Sequence, residues 1–251
     1  MTEALRLSGL HKAFGATVAV DGVDLTVPAG SFFGLVGPNG AGKTTALSMA
    51  VGLLRPDAGR CAVFGHDVWT DPVAAKSRIG VLPDALALPE QLTGRELLTY
   101  AGLLRGMEKP AVATRTAELL SVLELDHCEA TAVLDYSTGM RKKIGLALAL
   151  LHAPRLLVLD EPFEAVDPVS AATIRAILQR FVAGGGSVVF SSHVMALVEH
   201  LCDRVAVMAR GRIVAAGTLA AVRGNRPLEQ AFAELVGARP GGMEGLAWLA
   251  S

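Results

Sequence analysis

Cysteine is scarce: Cys61, Cys128 and Cys202 stand far apart, with no Cys-x-x-Cys pair and no clustered histidine beside them. That spacing argues against a disulfide framework and a zinc site, and it suits three ordinary buried thiols of a reducing compartment. Aromatic residues make up 5% of the chain, and charge is both sparse and balanced, with 23 basic against 24 acidic residues and a net charge of -1. The balance removes the electrostatic case for a dedicated nucleic-acid binder or a polybasic membrane anchor, so no nucleic-acid partner is expected. Long apolar runs are interrupted too. The uncharged stretch Leu25 to Gly42 contains Pro28, Pro38 and five glycines, and Phe181 to Val198 contains Gly184-Gly185-Gly186 and Ser191-Ser192-His193. In lipid such segments would leave backbone polar groups unsatisfied, so both read as buried strands joined to turns. Met1 to Leu10 carries Glu3 and Arg6 where a secretory signal needs an apolar stretch, and a cytosolic location is expected.

What is present is a 251-residue chain with 51% hydrophobic residues, enough to bury a sizeable core. Short, continuously apolar runs occur at Phe32 to Val36, Leu156 to Leu159, Ser187 to Phe190 and Val205 to Met208. They have the pattern of buried parallel strands and point to an α/β fold. Before them, residues 1 to about 30 alternate apolar and polar positions, which predicts an antiparallel β-layer with one wet face. From about 84 to 151 the character turns helical: Thr93-Gly94-Arg95-Glu96 is a capping-box pattern, and Ala111 to Leu123 repeats apolar residues at helical spacing. Strand and helix then alternate again, with Pro168 opening a helix that Gly184 to Gly186 ends, and a hairpin turning at Arg210-Gly211. One domain over 1–219 is expected, with residues 84–151 as a helical insertion. A short tail over 220–251 would hold an amphipathic piece, Leu228 to Val236, and a Gly-rich end.

Gly37-Pro38-Asn39-Gly40-Ala41-Gly42-Lys43-Thr44 fits Gly-x4-Gly-Lys-Ser/Thr between the strand Phe32 to Val36 and a helical run Thr45 to Leu54. Glycines let successive N–H groups curl around phosphate oxygens, Lys43 reaches the β- and γ-phosphates, and Thr44 is placed to hold magnesium. Thr45, opening the helical run, belongs to the same nucleotide-binding set. Leu156 to Leu159 delivers Asp160-Glu161 at a strand's C-terminal end, where open α/β sheets bind ligands. Asp160 would serve the magnesium shell, and Glu161 could polarise a water for in-line attack on the γ-phosphate.

Upstream of that strand lies Tyr136-Ser137-Thr138-Gly139-Met140, followed by Arg141-Lys142-Lys143 and an apolar helix. With this motif the chain resembles the ATP-binding cassette (ABC) family, in the form familiar among exporters of the ABC-2 and drug-resistance type. The resemblance runs from about Leu5 to Leu219. It implies a P-loop NTPase core of RecA-like kind, with a mainly parallel sheet, an antiparallel β-subdomain and a helical subdomain. Ser137 with the amides of Thr138 and Gly139 forms a helix N-terminus suited to an anion, and the resemblance implies that it closes on the γ-phosphate held by a second copy. By the same resemblance, Asp167 in Ala165-Val166-Asp167-Pro168 organises the dimer contact, His193 holds the attacking water and bonds the γ-phosphate, and Phe14 stacks on adenine. The chain departs from the pattern at Leu82-Pro83-Asp84, where glutamine or glutamate is usual. Asp84 can accept hydrogen bonds from magnesium-bound waters but cannot donate an amide proton, and Gln91 is displaced by several residues.

The resemblance therefore implies ATP and Mg2+ as ligands and a homodimer of cassettes. It also implies a membrane-spanning permease on a separate chain, and a peripheral place on the inner face of the cell membrane. A soluble cassette of the iron-sulfur assembly type is the alternative, and an unrelated phosphate-loop NTPase would have to ignore the signature and His193. Apolar residues after Pro83, Leu86 and Leu88 among them, suit a docking surface for the permease.

Overall fold

The computed structural model describes residues 2–237; the Gly-rich end expected after Val236 lies, from 238 on, outside the described residues. The chain opens with two long strands, β1 (Glu3–Phe14) and β2 (Thr17–Pro28), which pair antiparallel. With β4 (Ala58–Val63) and β5 (His66–Asp67) they form a four-stranded sheet of order β2-β1-β4-β5. Their inward residues, Leu5, Leu7 and Leu10 on β1 and Val20, Val23, Leu25 and Val27 on β2, do not keep strict alternation. Two irregularities explain the slip. The pairing shifts between Leu7 and Leu10, where Gly9 takes φ 58 and donates its N–H to the Asp24 carboxylate at 2.9 Å, and again between Leu10 and His11, opposite Gly22 at φ 65. Each extra residue is absorbed at a glycine, so the apolar set returns to the same face.

The second sheet has the order β10-β9-β3-β8-β7-β6. It is built from β3 (Phe32–Val36), β6 (Ile79–Leu82), β7 (Leu156–Leu159), β8 (Ser187–Ser192), β9 (Arg204–Ala209) and β10 (Arg212–Thr218). All pairs are parallel except β9 with the edge strand β10. Both faces are covered, so successive side chains enter two different cores. Phe33, Leu35, Val158, Val189, Ala206 and Met208 join the β-layer and helix α1 (Lys43–Ala50) in one. Phe32, Val36, Leu157, Leu159, Phe190 and Val207 face the helices in the other. In that second core the Phe190 ring meets Phe32 and Phe163 edge-on, with centroids 5.6 and 6.0 Å away. Two-sided burial is why these strands read as unbroken apolar runs.

Helix α1 is shorter than the sequence pattern suggests. It starts at Lys43 and stops at Ala50, because Gly52 turns left-handed at φ 73 and Leu53 leaves the helix for solvent. The short helix α2 (Pro72–Lys76) leads into β6. Between β6 and β7 come α3 (Gly94–Leu104), α4 (Lys109–Val122) and α5 (Thr138–Leu150), joined by 3-10 turns at Asp126–Cys128 and Val133–Asp135. Thr93 and Glu96 close the reciprocal capping box on α3. Leu86 and Leu88 turn inward and pack on the helical core, with Leu86 methyls beside Gly145. Both remain partly exposed, so burial against the helices takes one side of each and the rest stays at the surface.

After β7, α6 (Pro168–Ala183) leads to β8, α7 (Met195–Leu201), the β9–β10 hairpin, α8 (Leu219–Arg223) and α9 (Leu228–Val236). Leu228 and Ala231 anchor α9, fully buried. Among the described residues no helix is long and apolar enough to cross a membrane.

Candidate functional site

Strand β3 lies between β8 and β9, so the loop that leaves its C-terminal end sits at the centre of the sheet's edge. Close quarters explain its glycines. A Cβ on Gly37 would meet the Met208 carbonyl oxygen at 2.3 Å, and one on Gly42, at φ 102, would meet that of Ala19 at 2.3 Å. Gly40 is left-handed at φ 77. The loop is braced by the Ala41 N–H on the Pro38 carbonyl at 3.1 Å and by the Gly211 N–H on the Ala41 carbonyl at 3.0 Å. Lys43 opens α1 almost wholly buried; its ammonium donates to the carbonyls of Gly37 and Pro38 at 2.8 and 3.3 Å.

Two strands away, β7 is followed at once by Asp160, which is 5% exposed and accepts a hydrogen bond from the Ser191 hydroxyl. Glu161 follows in a left-handed conformation, φ 46. For a residue with a Cβ this costs about 1–2 kcal/mol, so its surroundings must hold it. Ser191 accepts the Glu161 N–H at 2.9 Å, and the Lys142 ammonium of α5 donates to the Glu161 carbonyl at 3.0 Å. The conformation aims the carboxylate at two cations or donors: His193 Nδ1 lies 3.1 Å from Oε2, and Lys43 Nζ lies 3.9 Å from Oε1. His193 is carried just past the end of β8, with its side chain 45% exposed.

Lys43, Glu161 and His193 open into one cleft of about 470 Å³, lined also by Phe14, Ala19, Asn39, Gly40, Ala41, Gly42, Thr44, Thr45, Asp84 and Glu164. Phe14 stands at the end of β1, half exposed, with Lys12 Nζ 5.7 Å from the ring centroid. A Phe on a strand that leaves half its surface in water offers a flat apolar face at the cleft rim. Asp84 follows β6, half exposed, 3.7 Å from Lys142 Nζ. Gly37 and Pro38 shape the loop without lining the cleft, and neither Asp160 nor Gln91 lines it.

Asp160 instead shares a smaller cavity of about 150 Å³ with Thr44 and Asp84. One hydroxyl with one or two carboxylates beside a phosphate loop suits magnesium, which is held through few protein oxygens together with substrate phosphates. Among the described residues there is no cluster of three His, Cys, Asp or Glu side chains of the kind that cages a metal by itself. The residues present fit the ion.

Ser137, Thr138, Gly139 and Asp167 lie elsewhere; none lines the cleft of its own chain. Ser137 caps α5, its hydroxyl accepting the Met140 N–H at 3.2 Å, and Ser137 and Thr138 are exposed. Asp167 caps α6 through the N–H groups of Ser170 and Val169, at 2.9 and 3.0 Å. The Ser170 bonds, its N–H foremost, hold the Asp167 carboxyl below its ordinary pKa. A Cβ on Gly139 would come within 3.1 Å of the Asp167 carboxylate, so these residues form one patch around two helix N-termini.

Sequence reasoning missed Ser191, Lys142 and Glu164, the last of which also lines the cleft. Ser191 carried a signal, a hydroxyl at the end of an otherwise apolar strand. Lys142 carried none that separates it from Arg141 and Lys143.

A family model described as ABC transporter matches residues 20–164. Over 217 residues the chain is 40% identical to the daunorubicin/doxorubicin resistance ATP-binding protein DrrA of Streptomyces peucetius, covering 86% of this chain and 66% of that protein. It is 37% identical over 215 residues to the Nod factor export ATP-binding protein I of Rhizobium sp. (strain N33), covering 86% of this chain and 71% of that one. The chain thus spans about two thirds of the length of these relatives. A solved structure described as the ATP binding subunit of an ABC transporter superposes with a TM-score of 0.86 at 27% identity, covering 92% of this chain and 99% of that one.

Proposed function

The chain belongs to the ABC transporter family, and from that premise we propose that it is the ATP-hydrolysing subunit of an exporter, working on a permease carried by a separate chain. The observation that carries this reading is the convergence of Lys43, Glu161 and His193, from the ends of β3, β7 and β8, within 3.1–3.9 Å in one cleft. Relatives named for drug resistance and for export favour an exporter over the iron-sulfur alternative.

In this reading adenine lies on the Phe14 ring, and the triphosphate enters the loop Gly37 to Thr44 with Thr45 behind it. There the backbone N–H groups and Lys43 meet the phosphate oxygens. Thr44 and Asp160, with Asp84 through water, would hold Mg2+, which supplies neutralisation of phosphate charge when bound. Glu161 accepts the proton of a water as its oxygen bonds to the γ-phosphorus and the bond to the β–γ bridging oxygen breaks, releasing ADP and phosphate. His193, fixed by the Glu161 carboxylate, orients that water. Backbone bracing of Glu161 by Ser191 and Lys142 holds the base ready, so little reorganisation is left to the reaction itself.

Ser137, Thr138 and Gly139 present a helix N-terminus with no phosphate loop of their own chain beside it. We assign them to the γ-phosphate of a second copy, with Asp167 at the contact, which makes two identical composite sites. Residues 1–219 then form the ATPase domain, with 84–151 as the part that faces the permease, and the protein sits on the inner face of the membrane. Lys43→Ala tests the reading. Phosphate release from ATP should need both Lys43 and Mg2+ and should stop on chelation with EDTA; release by Lys43→Ala at the wild-type rate would refute it.

A further inference from the structure

Glu161 has a backbone conformation that its own side chain disfavours, and side chains from two separate elements hold both of its backbone polar groups. The Ser191 side of this bracing comes from β8, inside the sheet, where Ser191 pairs with Leu35 of β3. The Lys142 side comes from α5, outside it. Lys142 is 8% exposed at the side chain, and its ammonium touches two things: the Glu161 carbonyl at 3.0 Å and the Asp84 carboxylate at 3.7 Å. A cation this buried is held where it is by those partners, because leaving the ammonium itself unpaired is unfavourable.

Lys142 lies on the same helix as the exposed anion-binding end, four residues from Thr138, about 6 Å along the axis. A helix moves as a stiff rod over that distance. Whatever draws the Ser137–Gly139 end towards a phosphate on a second copy therefore also displaces the ammonium that holds Glu161 and Asp84 of its own chain.

We propose that Lys142 is a positioning residue that sets the Glu161 carboxylate according to the position of α5, so that closure on one nucleotide prepares the hydrolytic base serving the other. This rests on the reading of Glu161 as the proton acceptor. Lys142 lines neither the cleft nor the magnesium cavity, so its effect is on kcat rather than on nucleotide affinity.

Lys142→Met keeps the length of the side chain and removes the cation and donor. Its kcat for ATP should fall about 10–100-fold, the scale of a small misplacement of a catalytic group, while ATP affinity stays within about twofold. Lys142→Arg, which can still donate to the carbonyl, should recover most of the rate. In a Glu161→Gln background, Lys142→Met should still form an ATP-driven dimer by sedimentation, a result that mere damage to α5 would not allow. Wild-type kcat in Lys142→Met, or an equal loss of kcat, affinity and dimer, overturns the proposal. Should Lys142→Met not fold, Lys142→Arg and Lys142→Gln decide: a faster Arg variant at equal ATP affinity supports it, and equal rates overturn it. Undiminished turnover in Glu161→Gln would instead remove the reading beneath it.

Discussion

Replacing Ser191 by alanine removes one hydroxyl and, with it, two bonds at the centre of the site. The hydroxyl donates to the buried Asp160 carboxylate and accepts the Glu161 N–H at 2.9 Å, and Ser191 has no exposed surface through which water could take its place. A hydrogen bond to a charged group contributes about 1.5–3 kcal/mol net and a neutral one about 0.5–1.5 kcal/mol. Because one atom makes both, a total of about 2–4 kcal/mol is expected. For a chain of this size that lowers the melting temperature by about 5–15 °C. The same loss frees the backbone of Glu161 on the sheet side, so turnover at saturating ATP should fall about 10–100-fold. Ser191→Cys, with a weak donor and acceptor in the same place, should fall between the two. Thermal melts in buffer alone, followed by phosphate-release assays, give both quantities. A Ser191→Ala protein that melts within about 1 °C of wild type and turns over at the wild-type rate would show that neither bond matters as argued.

Phe14→Ala should weaken ATP binding by about 1–3 kcal/mol, the scale of base–aromatic stacking; equilibrium titration with a fluorescent ATP analogue measures it, and an unchanged Kd would remove the ring from the nucleotide site. His152 supplies a pH test. Burial first, then the nearby Arg105 and Arg115, push its pKa down to about 4, while Nε2–H donates to the Ile79 carbonyl at 2.9 Å. The unfolded chain takes up that proton first, so the stability this neutral imidazole contributes is complete above about pH 6.5 and is lost as pH falls towards about 4. Discounted for partial exposure, about 1–2 kcal/mol is at stake. Urea unfolding of wild type and His152→Gln at about pH 7 and about pH 4.5 should show the steeper loss in wild type; parallel losses would refute the assignment.

Much of this arrangement is legible in the sequence, because it is local. The phosphate loop, the strand ending in Asp160-Glu161 and the capping box at Thr93 each declare themselves within a few residues. Two-sided burial of the central sheet follows from runs such as Leu156 to Leu159. Long-range register was not legible. Ser191 reaches Asp160 because β7 and β8 pair with Leu159 opposite Phe190, a choice made across thirty residues of chain. Lys142 is buried and Arg141 less so because of how α5 seats on the loop after β7, which the three consecutive basic residues do not encode. The inward turn of Leu86 depends likewise on where Gly145 leaves room. The slips at Gly9 and Gly22 disguise the inward face of the first two strands from a simple period-two reading.

Hydrolysis in this site depends above all on Glu161 as the group that takes the proton from water. Phosphate release at saturating Mg-ATP should be compared between wild type and Glu161→Gln, with ATP affinity measured on both. The amide keeps the shape and the contact with His193 but accepts a proton poorly, so release should fall by about two orders of magnitude or more while affinity is retained. Hydrolysis by Glu161→Gln at the wild-type rate would contradict a proton-accepting role for Glu161.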